Sequence, residues 1–234
     1  IYKIGVGRWR VGEEPMQVVS GAMGRQKVHY EAPPSSDVPR MMQHLFEWIE
    51  NETAVIDPVV KAAVAHLWFL TIHPFDDGNG RLCRTITEVL LSRADKTAQR
   101  YYSLSSEILK HRKDYYAQLE KAQHGNTDIT EWILWFLRTL HGALKVALEK
   151  TENTIRKVLF WDKHKDLVLN ERQRKVLNML LDGFDGKLNS SKWYKINHCS
   201  QDTAIRDLND LVAKKILQKS EKGGRSTNYE LTIE

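Results

Sequence analysis

Apolar residues recur at helical spacing over most of the chain, and short β-type runs are confined to its first 36 residues and to two stretches near the C-terminus. Gln17-Val18-Val19 and Lys27-Val28-His29-Tyr30 flank the turn Gly21-Ala22-Met23-Gly24, which predicts a β-hairpin ended by Pro33-Pro34. Asp37, with Pro39 in the first turn, opens a helix to about residue 50, with Met42, Leu45, Phe46 and Ile49 on one stripe. Asp57-Pro58 is the next start signal, an N-cap followed by Pro at the first helical position. The helix it opens is apolar on most sides (Val59, Val60, Ala63, Val64, Leu67, Phe69, Leu70) and is predicted to be central. It should end at His73, because a residue before Pro disfavours helical geometry. A further helix is predicted over 81–94. After a Ser-rich break at 103–106, helical segments continue to about 123.

Gly125-Asn126-Thr127-Asp128 is a clear turn. A long helix then runs from 129 to about 161, carrying Trp132, Ile133, Trp135, Phe136, Leu140, Leu144 and Leu148, a spacing that assigns these side chains to packing. Residues 157–170 read as a linker. Asn170 with Gln173 makes a capping-box arrangement for a helix whose apolar face is Val176, Leu177, Leu180 and Leu181. Segments 190–196 and 201–216 follow in helix-turn-helix order. Two strand-like runs, 216–219 and 228–231, flank the basic turn Lys222-Gly223-Gly224-Arg225-Ser226, the layout of a wing. The chain therefore divides into 1–150, a helical linker over 151–169, and a winged-helix domain over 170–234. Its fold class is mainly α.

Composition narrows the function only slightly. A length of 234 residues suits one or two domains, and 41% hydrophobic with 28% charged residues is ordinary for a globular chain. No apolar run reaches the length of a membrane span and no signal peptide is visible, so a cytoplasmic protein without membrane contact is expected. Cys83 and Cys199 have no metal-type spacing and read as reduced thiols. The formal net charge of +5 suits anionic ligands without selecting one. From Asp162 onward, 14 basic residues stand against 11 acidic, a bias too weak to establish DNA binding. The opening Ile1, in place of Met, suggests that an upstream segment has been removed.

The densest chemistry lies in His73-Pro74-Phe75-Asp76-Asp77-Gly78-Asn79-Gly80-Arg81-Leu82-Cys83-Arg84. Gly78 and Gly80 lack Cβ, so backbone N–H groups there can approach a phosphate closely. The turn precedes an apolar-periodic stretch and so sits at a helix N-terminus, where unpaired N–H groups and the dipole favour an anion. Arg81 and Arg84 lie on neighbouring positions of that helix and can both fork onto phosphate oxygens. Asp76 or Asp77 could hold Mg²⁺, which binds through one or two carboxylates plus substrate phosphates. His73 is suited to accept a proton near neutral pH. The inventory suits a nucleoside triphosphate.

This run matches H-x-F-x-[D/E]-G-N-G-R-x-x-R at every defined position, the signature of the Fic family, which the chain resembles. The resemblance extends to Val28–Pro34 and Val38–Met42, similar to the family's flap hairpin and following helix, and to 114–120 with the turn at 125–129, similar to the segment closing its adenine pocket. The tail from Asn170 is similar to the winged-helix extension of a bacterial subgroup. The resemblance implies a Fic helical core and AMPylation, the transfer of AMP from ATP to a Ser, Thr or Tyr hydroxyl of a target protein, including the chain itself. It makes His73 the general base and Asp77 the Mg²⁺ ligand. Gly78, Asn79 and Gly80 become phosphate contacts, with the Asn79 side chain donating to the α-phosphate. Arg81 and Arg84 become the partners of the β- and γ-phosphates, and Tyr115 and Gln123 adenine-pocket residues. Phe75 is read as a loop anchor, and Asp76, at a variable position, gets no role.

The hairpin at about 18–30 would hold the target protein as an added strand. The winged helix would take DNA or a protein partner, and a homodimer is compatible. The family's inhibitory motif, [S/T]-x-x-x-E-[G/N], does not occur in 1–234, so an inhibitory helix is expected upstream of Ile1 or from a partner. Two other readings remain at this stage. One is a winged-helix transcription regulator whose Fic-like domain senses nucleotide, which the intact His73 argues against. The other is a Fic enzyme that transfers another group or removes AMP.

Overall fold

A computed structural model describes residues 5–22, 24–51, 55–97, 99–220 and 227–232. The chain forms two compact units, Ile1–Ala147 and Leu148–Glu234. It is mainly helical, with two small antiparallel hairpins among the described residues.

In the first unit, β1 (Gln17–Ser20) and β2 (Lys27–Glu31) pair antiparallel, Val18 opposite Tyr30 and Val19 opposite Val28, with a register slip between them. A 3-10 turn, Ser35–Asp37, leads into α1 (Val38–Glu50), so Asp37 precedes the helix and Pro39 lies in its first turn. Val38, Met42, Leu45 and Ile49 are its buried stripe; Phe46, expected there, is 44% exposed.

The centre of the unit is α2 (Pro58–Ile72). Asp57 caps it, its carboxylate accepting from the N–H groups of Val59 (2.8 Å) and Val60 (3.3 Å). Ala62, Ala63 and Ala65 are fully buried, and their short side chains let neighbouring helices approach. Around α2 pack α1, α3 (Asn79–Asp95) and α5 (Arg112–His124). The short α4 (Leu104–Lys110) starts inside the Ser-rich stretch read as a break, because the Ser103 hydroxyl accepts from the Ser106 N–H (3.2 Å) and caps it. The N-terminal part of α6 (Thr130–Lys163) completes the core through Trp132, Phe136 and Leu140, the Trp132 indole donating to the Ala63 carbonyl (2.8 Å). Leu144 and Leu148, expected among the packing residues, are exposed.

The second unit starts with the rest of α6, which continues to Lys163 through much of the expected linker. The capping box at Asn170 and Gln173 forms and opens α7 (Glu171–Leu181). Then come α8 (Ser190–Asn197) and α9 (Gln201–Ala213). The last ends three residues early, where Lys215 turns left-handed (φ 56) and frees Ile216 to lead into β3 (Leu217–Lys219). β3 pairs antiparallel with β4 (Tyr229–Leu231). The basic turn expected over 222–226 lies outside the described residues. Val176, Leu177, Trp193, Ala204, Leu208 and Leu211 form this unit's core. Buried Asp207 ties three of its elements together, accepting from Asn170 Nδ2 (2.9 Å), Arg172 (2.7 and 3.0 Å) and the Trp193 indole (3.3 Å). Among the described residues, no helix is long and apolar enough to cross a membrane.

Candidate active site

The site is built where α2 ends. His73 is its C-cap and adopts a left-handed backbone (φ 50, ψ 59), with its N–H still donating to the Phe69 carbonyl (3.0 Å). A left-handed conformation in a residue with a Cβ is unfavourable and persists only where the surroundings impose it. Here they do. The carbonyls that end a helix have no intrahelical donor, and three consecutive ones at this end are met by side chains from elsewhere. The Tyr30 hydroxyl donates to the Thr71 carbonyl (2.8 Å), and Arg10 donates to those of Ile72 (3.2 Å) and His73 (2.8 Å).

The loop after His73 is closed by Asn79, which is 3% exposed. Its amide oxygen accepts from the Phe75 N–H (2.9 Å) and its amide nitrogen donates to the Phe75 carbonyl (2.7 Å). The side chain read as a donor to the α-phosphate is thus turned onto the backbone of its own loop, which it holds shut. Phe75 packs on the Trp9 ring (5.0 Å between centroids), in keeping with an anchoring role. Gly78, at φ 88, caps α3, and its carbonyl accepts from Arg81 and Leu82 N–H, both at 3.0 Å. The N–H groups of Asn79 and Gly80 therefore open the helix with no intrahelical acceptor, the arrangement that favours an anion.

His73, Asp76, Asp77, Gly78, Asn79, Gly80, Arg81 and Arg84 together line one open cavity of about 290 Å³. Burial lowers the His73 pKa from its ordinary value, and the Arg10 cation lowers it further, against a contact with the Leu70 carbonyl that raises it. The ring is thus kept neutral, the form able to accept a proton. Asp77 and Arg81 form an exposed ion pair (3.2 Å), so the candidate metal ligand and one candidate phosphate ligand hold each other in place. Among the described residues, no group of three or more His, Cys, Asp and Glu side chains is assembled around a metal position. A single free-edged carboxylate at Asp77 does suit Mg²⁺ held jointly by protein and substrate phosphates.

Arg84 also lines a neighbouring cavity of about 420 Å³ with Ser105, Ser106, Ile108, Leu109, Arg112, Tyr115 and Tyr116. Tyr115 is thereby placed next to the motif. Gln123 is half-buried near the end of α5 and lines neither of these cavities.

Four features escaped the sequence. Arg10 is one. Asp76, given no role, accepts from the Gly5 N–H (2.8 Å) and ties the N-terminal segment to the motif loop. Glu120 on α5 latches the hairpin through Lys27 (3.0 Å) and His29 (2.9 Å), while His124 donates to the His29 carbonyl (2.7 Å). The fourth is His66, fully enclosed between Thr87 Oγ1 (2.8 Å) and the Tyr115 hydroxyl (2.9 Å). The Thr87 hydroxyl donates to the Cys83 carbonyl (2.8 Å), so it accepts from His66 Nδ1–H, and Nε2 accepts from Tyr115. Burial drives the His66 pKa down to about 3. None of the four carries a local sequence signal, since each depends on partners far along the chain.

Residues 1–91 match the family model described as the Fic/DOC family. The N-terminal unit is thus similar to the Fic/DOC family. The chain is similar to the protein adenylyltransferase Fic of Aedes aegypti, 33% identical over 113 residues, or 47% of this chain and 21% of that protein. It is also similar to the protein adenylyltransferase Fic of Nematostella vectensis, 30% identical over 122 residues, or 51% of this chain and 26% of that one. The chain thus spans about a fifth to a quarter of the length of these curated relatives. A crystal structure of a Fic family protein from Desulfovibrio desulfuricans G20 shares the fold at TM-score 0.50 and 24% identity, covering 97% of this chain and 63% of that one.

Proposed function

We propose that this protein is a Fic-type protein adenylyltransferase that moves AMP from ATP to a Ser, Thr or Tyr hydroxyl of a protein. The observation that carries the reading is the placement of a neutral, half-buried imidazole on the same small cavity as a helix N-terminus, two arginines and two carboxylates. The names of the relatives point the same way.

In this reading the target hydroxyl oxygen attacks the α-phosphorus, the bond from that phosphorus to the bridging oxygen breaks, and pyrophosphate leaves. His73 takes the hydroxyl proton. The N–H groups at the start of α3, reached past Gly78 and Gly80, hold phosphate oxygens. Arg81 and Arg84 neutralise the charge of the leaving pyrophosphate. Asp77, paired here with Arg81 (3.2 Å), is the carboxylate that would hold Mg²⁺. Mg²⁺ would supply charge neutralisation on the triphosphate. Asn79 acts by keeping the loop in shape. Tyr115 and Gln123 serve the nucleoside end. The hairpin β1–β2 takes the target as an added strand at its edge. The second unit, with α8 and α9 in helix-turn-helix order beside a two-stranded ribbon, serves as a winged-helix module for a partner.

The test is incubation of the full chain with Mg²⁺ and ATP labelled at the α- or the γ-phosphate, in the presence of cell extract. Covalent label on protein is expected from the α-labelled nucleotide alone. Transfer of γ-label, or no transfer of either, overturns the reading.

A further inference from the structure

Arg10 lies in a stretch without regular secondary structure, yet it is only 5% exposed. Its guanidinium spans three carbonyls: those of Ile72 and His73 at the end of α2, and that of Pro33 (2.5 Å), two residues beyond the flap strand β2. Its own N–H donates to the Pro74 carbonyl (2.9 Å). The backbone is therefore held on both sides of the His73 imidazole by one residue, which also grips the base of the flap. A cation is favoured at this place, because the negative end of the α2 dipole and its unpaired carbonyls converge there. Burial alone lowers the guanidinium pKa, and Tyr30 and Asp76 oppose that shift.

We propose that Arg10 is a positioning residue that fixes the left-handed backbone of His73 and sets the flap in register with it, so that a target strand added to the flap brings its hydroxyl to the base. This rests on the adenylyltransferase reading for its last clause; the brace itself does not. Lys cannot replace Arg here, since a single ammonium on a flexible stem lacks the planar fork that reaches three carbonyls at once. The charge has a second consequence. Arg10 disfavours the imidazolium of His73. The other charged groups that line the cavity with the ring are Asp76, Asp77, Arg81 and Arg84, on the motif loop and α3.

The experiment compares the full chain with Arg10→Lys and Arg10→Gln. Three quantities are measured: transfer from α-labelled ATP across pH, ATP affinity by calorimetry, and the titration of the His73 ring by ¹⁵N NMR. His66 serves as the fold reference, because it titrates in the ordinary range only if its enclosure is lost. Arg10→Lys should bind ATP as the wild type does and label about 10- to 100-fold more slowly, the scale of a misplaced reacting group. Its His73 ring should titrate where the wild type's does. In Arg10→Gln the rate should fall similarly, the His73 pKa should rise, and the acid limb of the rate profile should move to higher pH. A purely structural role would lower the amplitude and leave that limb in place.

Wild-type labelling by Arg10→Lys, or an unmoved His73 titration in a folded Arg10→Gln, overturns the proposal. If Arg10→Gln does not fold, Arg10→Lys decides alone. If the wild type transfers no label, the functional reading fails by itself. The brace is then judged by the His73 backbone amide resonance of Arg10→Lys, which should shift from its wild-type position and which, unshifted, refutes it.

Discussion

Replacing His66 by Gln should flatten the acid dependence of the first unit's stability. In the fold His66 is neutral, with Nδ1 donating to Thr87 and Nε2 accepting from Tyr115, and its pKa is held near 3 by burial, with Arg84 lowering it further. In the unfolded chain the ring titrates near the ordinary 6.5. Between these values the unfolded chain binds a proton that the fold refuses. Stability is therefore full above about pH 6.5 and declines as pH falls toward 3. The limiting slope is about 1.4 kcal/mol per pH unit. From pH 7 to 4.5 this single ring should remove about 2.5 kcal/mol, a large share of the roughly 5–15 kcal/mol typical of a domain. Gln keeps one donor and one acceptor for Thr87 and Tyr115 but does not titrate. The variant should lose about 1–3 kcal/mol at pH 7 through poorer packing and bonding. It should then fail to lose the further 2.5 kcal/mol. Urea unfolding followed by Trp emission at several pH values measures both, because Trp132 packs 5.5 Å from the His66 ring. Carboxylates that titrate in the same range are common to both proteins and cancel in the difference. Parallel stability curves for wild type and His66→Gln between pH 7 and 4.5 would refute the reasoning.

His73→Ala should lower transfer from α-labelled ATP by about 100- to 10,000-fold, the usual cost of a lost general base, while calorimetry shows ATP binding nearly unchanged; undiminished transfer removes His73 from the mechanism. Asp77→Ala should leave very low activity that no longer responds to Mg²⁺, and if Asp76→Ala shows that behaviour instead, the metal carboxylate has been wrongly chosen. Asp207→Ala strands the Arg172 guanidinium and the Trp193 indole of the second unit and should cost about 3 kcal/mol there, read as a lower melting temperature by near-ultraviolet circular dichroism.

The parts of this protein that the sequence determines are those set by neighbours along the chain. Asp57-Pro58 opens α2 and Pro74 closes it, because a cap and a fixed φ act within a few residues. Asn170 and Gln173 specify the start of α7 for the same reason. Twelve contiguous residues carry the motif, so His73, Asp77, Arg81 and Arg84 could be gathered before any fold was known, and the local turn is what gathers them on one cavity. Periodicity marks an apolar face but not what covers it, which is why Phe46, Leu144 and Leu148 looked like core and are exposed.

Tertiary structure alone decides which polar groups meet across long stretches of chain. Arg10 reaches His73 from 63 residues away, and His66 reaches Tyr115 from 49. Any buried carbonyl or imidazole must find a partner, but hydrogen bonding does not say which residue supplies it until packing brings one within about 3 Å. The Asn79 amide makes the same point at short range. Its residue type fits a phosphate donor or a loop brace equally well, and only the closed loop, with the Phe75 N–H and carbonyl both within reach, turns it to the second.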